Sequence, residues 1–83
     1  MYRLVVSPTA HRQLKSIKKN HQLPIKLVIE EIKEDPTLGK RLARELTGKF
    51  SYRVGVYRII YKVNEKDKVV SILTAKHRGE VYK

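Results

Sequence analysis

Residues 52–61 read YRVGVYRIIY, and this stretch constrains the fold more than any other. On either side of Gly55-Val56, apolar or aromatic residues alternate for the most part with serine, arginine or lysine. A period of two marks a half-buried strand. Glycine at the first of two central residues suits a type II′ turn between antiparallel strands. A two-residue loop also fixes the register. Val54 then faces Tyr57, Arg53 faces Arg58, and Tyr52 faces Ile59. Alternation puts Phe50, Tyr52, Val54, Tyr57, Ile59, Tyr61 and Val63 on one side, which needs a cover. Ser51, Arg53, Arg58, Ile60 and Lys62 fall on the other.

The cover comes from upstream. Residues 2–6, YRLVV, read as a first strand. Ser7 can cap a helix and Pro8 suits its first turn. Ala10, Leu14 and Ile17 then share a helical face, with Arg12, Lys15, Lys18 and Lys19 mostly off it. The segment NHQLP, 20–24, is expected to break this helix. A second helix starts near Pro24 and buries Ile25, Val28, Ile29 and Ile32. Asp35-Pro36 ends it, because a residue before proline avoids helical backbone. Leu38, Leu42 and Leu46 recur every four residues and fit either a further helical turn or a packed loop. Strands are expected at 50–54, 57–63 and 68–76, with NEKD, 64–67, as the second turn. The order β-α-α-β-β-β describes an α+β domain: a helical hairpin packed on one face of a mostly antiparallel four-stranded sheet. Residues 1–83 make one domain. A chain of that size buries only about 60–65% of its unfolded surface, too thin a core for a deep cofactor pocket. No small-molecule cofactor is expected.

Charge narrows the partners. The chain has 19 lysines and arginines against 8 acids, a net charge of +11. Residues 1–20 contain Arg3, Arg12, Lys15, Lys18 and Lys19 and no acid, while the acids concentrate in EEIKED, 30–35. Such a field attracts polyanions. There is no cysteine, which excludes disulfides and cysteine-rich zinc sites. No apolar run approaches the ~20 residues of a membrane span, and the N-terminal apolar stretch is too short for a secretory signal. A cytoplasmic protein with no membrane partner is expected.

Arg53 opposite Arg58 is the anomaly. Like charges facing each other destabilise a strand pair, unless an anion sits between them. Guanidinium forks match phosphate bidentately. The C-terminal TAKHRGEVYK, 74–83, adds Lys76, His77, Arg78 and Tyr82. Pairing across the 64–67 turn sets Arg58 near Leu73 and carries the chain beyond Ala75 past the Gly55 turn. One end of the sheet is thus expected to gather Arg53, Arg58, Lys76, His77, Arg78 and Tyr82. Three arginines can hold a phosphate and stabilise a pentacoordinate transition state, and a tyrosine or histidine can move a proton. These groups suffice for metal-free RNA cleavage by an adjacent ribose 2′-OH. No paired carboxylates have metal-ligand spacing, so a two-metal nuclease is not expected. His11 and His21 read as surface or helix-end residues, and Tyr52, Tyr57 and Tyr61 as core.

The pieces YRVGVYRIIY and, about fifteen residues later, HRGEVY resemble the RelE/ParE superfamily of toxin–antitoxin toxins. YRLVVSPTAHRQLKSI is similar to that family's first strand and helix, so the resemblance spans nearly the whole chain. It implies a ribosome-dependent mRNA interferase that cuts A-site codons without a metal and inhibits translation. By resemblance, Arg58 contacts the scissile phosphate, Arg78 stabilises the transition state, and Tyr82 stacks on a base or activates the 2′-OH. Arg53 falls where some members carry a lysine and is assigned to phosphate binding, with Lys76 and His77. Some members have a second lysine where this chain has Gly55; Lys49 or Lys76 is the candidate substitute. Arg12, Lys15, Lys18 and Lys19 are expected to contact ribosomal RNA. The implied partners are the ribosome, mRNA and a small acidic, RelB-like antitoxin. The family's ParE branch implies an alternative, inhibition of DNA gyrase by protein contact. A non-catalytic nucleic-acid-binding module is the third reading.

Overall fold

The computed structural model describes residues 2–42 and 48–77. Its elements are β1 (Arg3–Val6), α1 (Pro8–Ser16), α2 (Lys19–Glu34), a 3-10 turn (Pro36–Leu38), β2 (Lys40–Arg41), β3 (Lys49–Val54), β4 (Tyr57–Asn64) and β5 (Val69–His77). Among the described residues the sheet has five strands, not four, in the order β1-β5-β4-β3-β2. The additional strand is β2, two residues that pair Lys40 with Ser51 and Arg41 with Phe50. This resolves part of the Leu38–Leu42 ambiguity: a 3-10 turn followed by an edge strand. Leu46 lies outside the described residues. β1 runs parallel to β5, and every other pairing is antiparallel.

The β3–β4 hairpin has the expected register: Val54 with Tyr57, Arg53 with Arg58, Tyr52 with Ile59. Gly55 takes φ +60 and Val56 does not enter the positive-φ region, as a type II′ turn requires. The second turn falls one residue later than expected. Asn64 pairs with Val69, so residues 65–68 form the loop, and Lys68 adopts φ 55. The displaced turn and a register shift between Ile60 and Tyr61 together pair Arg58 with Lys76 rather than Leu73.

Ser7 caps α1, accepting the Ala10 N–H at 3.0 Å, with Pro8 in the first turn. The break between helices falls at Ile17 and Lys18, where ψ swings to 138 and 144, not at residues 20–24. α2 begins at Lys19 and contains Pro24. Its first turn is held from outside the helical ladder, where Gln22 Nε2 donates to the Ile17 carbonyl at 2.8 Å. The His21 ring also meets Tyr57 edge-on at 5.4 Å. Such contacts, rather than propensity, support a short helix segment around a proline. Asp35 ends α2 and accepts from the Thr37 N–H to start the 3-10 turn.

The helices cover one sheet face. Ala10, Ile17, Ile25, Ile29 and Ile32 meet Phe50, Ile59, Tyr61, Val70, Ile72 and Ala75 in one core. Tyr61 is fully buried and stacks on Phe50 at 5.3 Å. Its hydroxyl donates to the Pro36 carbonyl at 2.7 Å and accepts from the Gly39 N–H at 2.9 Å. This ties the 3-10 turn to the centre of the sheet. Tyr52 and Tyr57 pack against the same core, half-buried.

Burial raises the Tyr61 phenol above its ordinary 10.0, and the Gly39 N–H opposes the shift. With the folded value above the unfolded one, its contribution is complete below about 10 and is lost as pH rises beyond it. Denaturant midpoints taken from pH 8 to 11 should fall more steeply for the wild type than for Tyr61→Phe. No described helix is long and apolar enough to cross a membrane.

Candidate functional site

The uncovered sheet face carries the charge. Arg53 pairs with Arg58, and Arg58 with Lys76, so three cations stand side by side on three neighbouring strands. Arg53 and Lys76 are exposed, and Arg58 is half-buried. The strands β3, β4 and β5 contain no acid. The described acids lie on α2 and its end (Glu30, Glu31, Glu34, Asp35) and in the β4–β5 loop (Glu65, Asp67). The row therefore has no carboxylate on its own strands to neutralise it.

Beside the row runs an open cleft of about 620 Å³, lined by Leu38, Lys40, Leu42, Ser51, Tyr52, Arg53 and Arg58. Lys40 enters from β2, where it pairs with Ser51. The cleft lining thus holds three cations, two hydroxyl-bearing side chains and no carboxylate. Sequence reasoning missed Lys40. Nothing in the local pattern marks residues 40–41 as a strand; their pairing depends on the turn anchored by Tyr61. Chemically, the row and cleft suit a phosphodiester strand. Repulsion between facing cations, roughly 0.2–1 kcal/mol per pair, is relieved when a phosphate lies between them.

His77 does not join this row. It pairs with Tyr57 on the helix-covered side of the sheet, and the two rings meet edge-on at 5.4 Å. One residue of strand alternation separates it from Lys76. Arg78 and Tyr82 lie outside the described residues. Arg12, Lys15, Lys18 and Lys19 are exposed on α1, at the interhelical break and at the start of α2. They belong to the helical layer and form a second basic region, apart from the row. Among the described residues no group of three or more His, Asp or Glu gathers as a metal site.

Comparison with known proteins identifies the family. Residues 4–82 match the family model described as ParE toxin of type II toxin-antitoxin system, parDE. The chain is 34% identical to Toxin RelG of Mycobacterium tuberculosis, over 99% of this chain and 97% of that protein. The fold is similar to that in the toxin–antitoxin complex RelBE2 of M. tuberculosis, with TM-score 0.82, 32% identity, and coverage of 93% and 98%. The archaeal RelE–RelB complex of Pyrococcus horikoshii gives TM-score 0.79 at 32% identity, covering 94% of this chain and 96% of that one. The isolated Escherichia coli RelE toxin shares the fold at TM-score 0.82 and 21% identity, over 99% and 92%. The chain belongs to the RelE/ParE superfamily, the toxins of type II toxin–antitoxin systems.

Proposed function

We propose that this toxin is a metal-independent endoribonuclease that cuts mRNA on the ribosome. The observation that carries the reading is the Arg53–Arg58–Lys76 row on the uncovered sheet face. In the reaction a ribose 2′-oxygen attacks the adjacent phosphorus and loses its proton. The bond from phosphorus to the 5′-oxygen breaks, leaving a 2′,3′-cyclic phosphate and a 5′-hydroxyl. Arg58, in the middle of the row, contacts the scissile phosphate and shares its developing charge. Arg53 and Lys76 hold the strand on either side. Arg78 supplies further transition-state stabilisation, and Tyr82 stacks on a base or takes the 2′-OH proton. Arg12, Lys15, Lys18 and Lys19 bind ribosomal RNA, which places the toxin in the cytoplasm.

The neutralising partner is an acidic, RelB-like antitoxin. Support comes from the relatives that were solved as complexes with RelB-type partners. A chain of net charge +11 and an acidic partner associate quickly through electrostatic steering.

The direct test maps mRNA 5′ ends on ribosomes with and without the toxin. New ends at A-site codons are expected with wild type and absent with Arg78→Ala, which keeps its ribosome association. Equal cleavage by that variant overturns the assignment of Arg78. Reversing the charges at Lys15 and Lys18 should weaken ribosome binding, and the deficit should shrink as salt rises, because the wild type, with more phosphate contacts, loses affinity more steeply. A second reading, gyrase inhibition by protein contact, is favoured by the ParE name of the matching family model. Purified toxin that blocks plasmid supercoiling by gyrase, and leaves mRNA intact in translating cells, would replace the nuclease reading with this one.

A further inference from the structure

β5 holds one residue more than its partner between two well-paired stretches. Tyr61 pairs with Ile72 and Ile60 with Thr74, which leaves Leu73 as a bulge. The bulge shifts the alternation of β5. Val70 and Ile72 are buried before it, and Ala75 after it. Had the pairing of Tyr61 with Ile72 continued unbroken, Ala75 would stand opposite Arg58. Lys76 would then stand opposite Tyr57 on the helix-covered face. The extra residue is what turns Lys76 into line with Arg53 and Arg58.

A bulge disrupts the ladder and leaves backbone groups in need of partners. Here α1 supplies them. Ser7 Oγ donates to the Leu73 carbonyl at 2.8 Å while also capping the helix. Gln13 Oε1 accepts from the Ala75 N–H at 2.8 Å. The two side chains straddle the bulge, one at the extra residue and one just beyond it. β1 stops pairing at Val6 with Ile72, so among the described residues no neighbouring strand holds this part of the β5 edge.

We infer that Gln13 is a positioning residue for the cationic row: by holding Ala75 it fixes the bulge at Leu73 and thereby the face on which Lys76 stands. This rests on the reading of the row as an RNA-phosphate site. Gln13 belongs to the helical layer and acts only through β5. Glutamine is suited to the task because its amide oxygen reaches a backbone N–H without bringing a charge into a half-buried position.

The experiment measures binding of a single-stranded, 2′-O-methylated RNA oligonucleotide, which cannot be cleaved, to the full chain across a range of salt. Lys76→Ala should reduce the slope of log K against log salt by about 0.7, the value of one phosphate contact on a single strand. Gln13→Met keeps the side-chain length and loses the acceptor, and it should reduce the slope by the same amount. The double variant should show no further loss, and Gln13→Glu, which keeps an acceptor, should recover most of the slope. Additive losses in the double variant overturn the inference. Amide exchange at Ala75 and cross-strand NOEs between Arg58 and Lys76 give a readout independent of RNA. Exchange should accelerate and the NOEs weaken in Gln13→Met, and their persistence unchanged overturns the inference whatever the RNA data show. A wild type whose RNA binding does not depend on Lys76, with the NMR changes as expected, instead overturns the reading of the row as an RNA site.

Discussion

Arg58→Ala is expected to reduce mRNA cleavage in a translation extract by about 10²–10³-fold, the usual consequence of removing one group aimed at developing charge. Arg58 is singled out by position. It pairs with a cation on each side, Arg53 and Lys76, and of the three it alone is half-buried. A partly desolvated guanidinium acts on a phosphate with less screening than its exposed neighbours. Arg58→Lys should recover only part of the rate, because an ammonium keeps the charge and loses the bidentate fork. Arg53→Ala should have the smaller effect of a binding residue. The loss must not come from unfolding. Removing one of two facing cations relieves repulsion, so the Arg58→Ala variant should melt at the wild-type temperature or slightly above. Cleavage at the wild-type rate would remove Arg58 from the mechanism.

The second large effect concerns stability and lies far from the row. Gly39→Ala is expected to cost about 2–4 kcal/mol, combining overpacking with the loss of buried hydrogen bonds. A Cβ at Gly39 would collide with the Tyr61 hydroxyl. That oxygen is held by Pro36 and Gly39 together, so it cannot move without breaking both bonds. For a domain of this size the melting temperature should fall by roughly 10–25 °C. Tyr61→Phe should cost about 1–3 kcal/mol by leaving the Pro36 carbonyl and the Gly39 N–H unsatisfied. The two changes should not add. With the hydroxyl already gone, the alanine still meets the ring carbons Cε1 and Cζ at 3.0 Å, a contact that a small shift of the untethered ring relieves, so the double variant should lose less than the sum of the two single changes. Full additivity in thermal or denaturant unfolding would show that the contact is not the cause.

Both predictions depend on features of unequal legibility in the sequence. The β3–β4 register could be read directly, because a two-residue turn with glycine in first position leaves one pairing for Arg53 and Arg58. The core stripes of both helices were equally plain from Ala10, Leu14, Ile17 and from Ile25, Ile29, Ile32. The β4–β5 register was not legible. A four-residue turn permits neighbouring registers, and the bulge at Leu73 is set by Ser7 and Gln13, more than sixty residues upstream. That long-range bond moved Lys76 into the row and left His77 on the other face, against the expectation that both would share one site. The helix break was displaced for a similar reason. Pro24 is a strong local signal, yet Gln22 and His21 stabilise the turn before it through contacts with Ile17 and Tyr57. β2 has no local signature at all, since two residues become a strand only when a neighbour pairs with them.

The parallel pairing of β1 with β5 has a consequence for timing. β5 lies between β1 and β4, so the sheet stays in two pieces until residues 69–77 have been synthesised. A nascent chain emerging from the exit tunnel can build its helices and its first hairpin early. It cannot close the sheet, seat the N-terminal strand or set Lys76 beside Arg58 until the final strand arrives. Contacts of such long range form late. A partly made chain therefore lacks the assembled cationic row until the residues of β5 have been added.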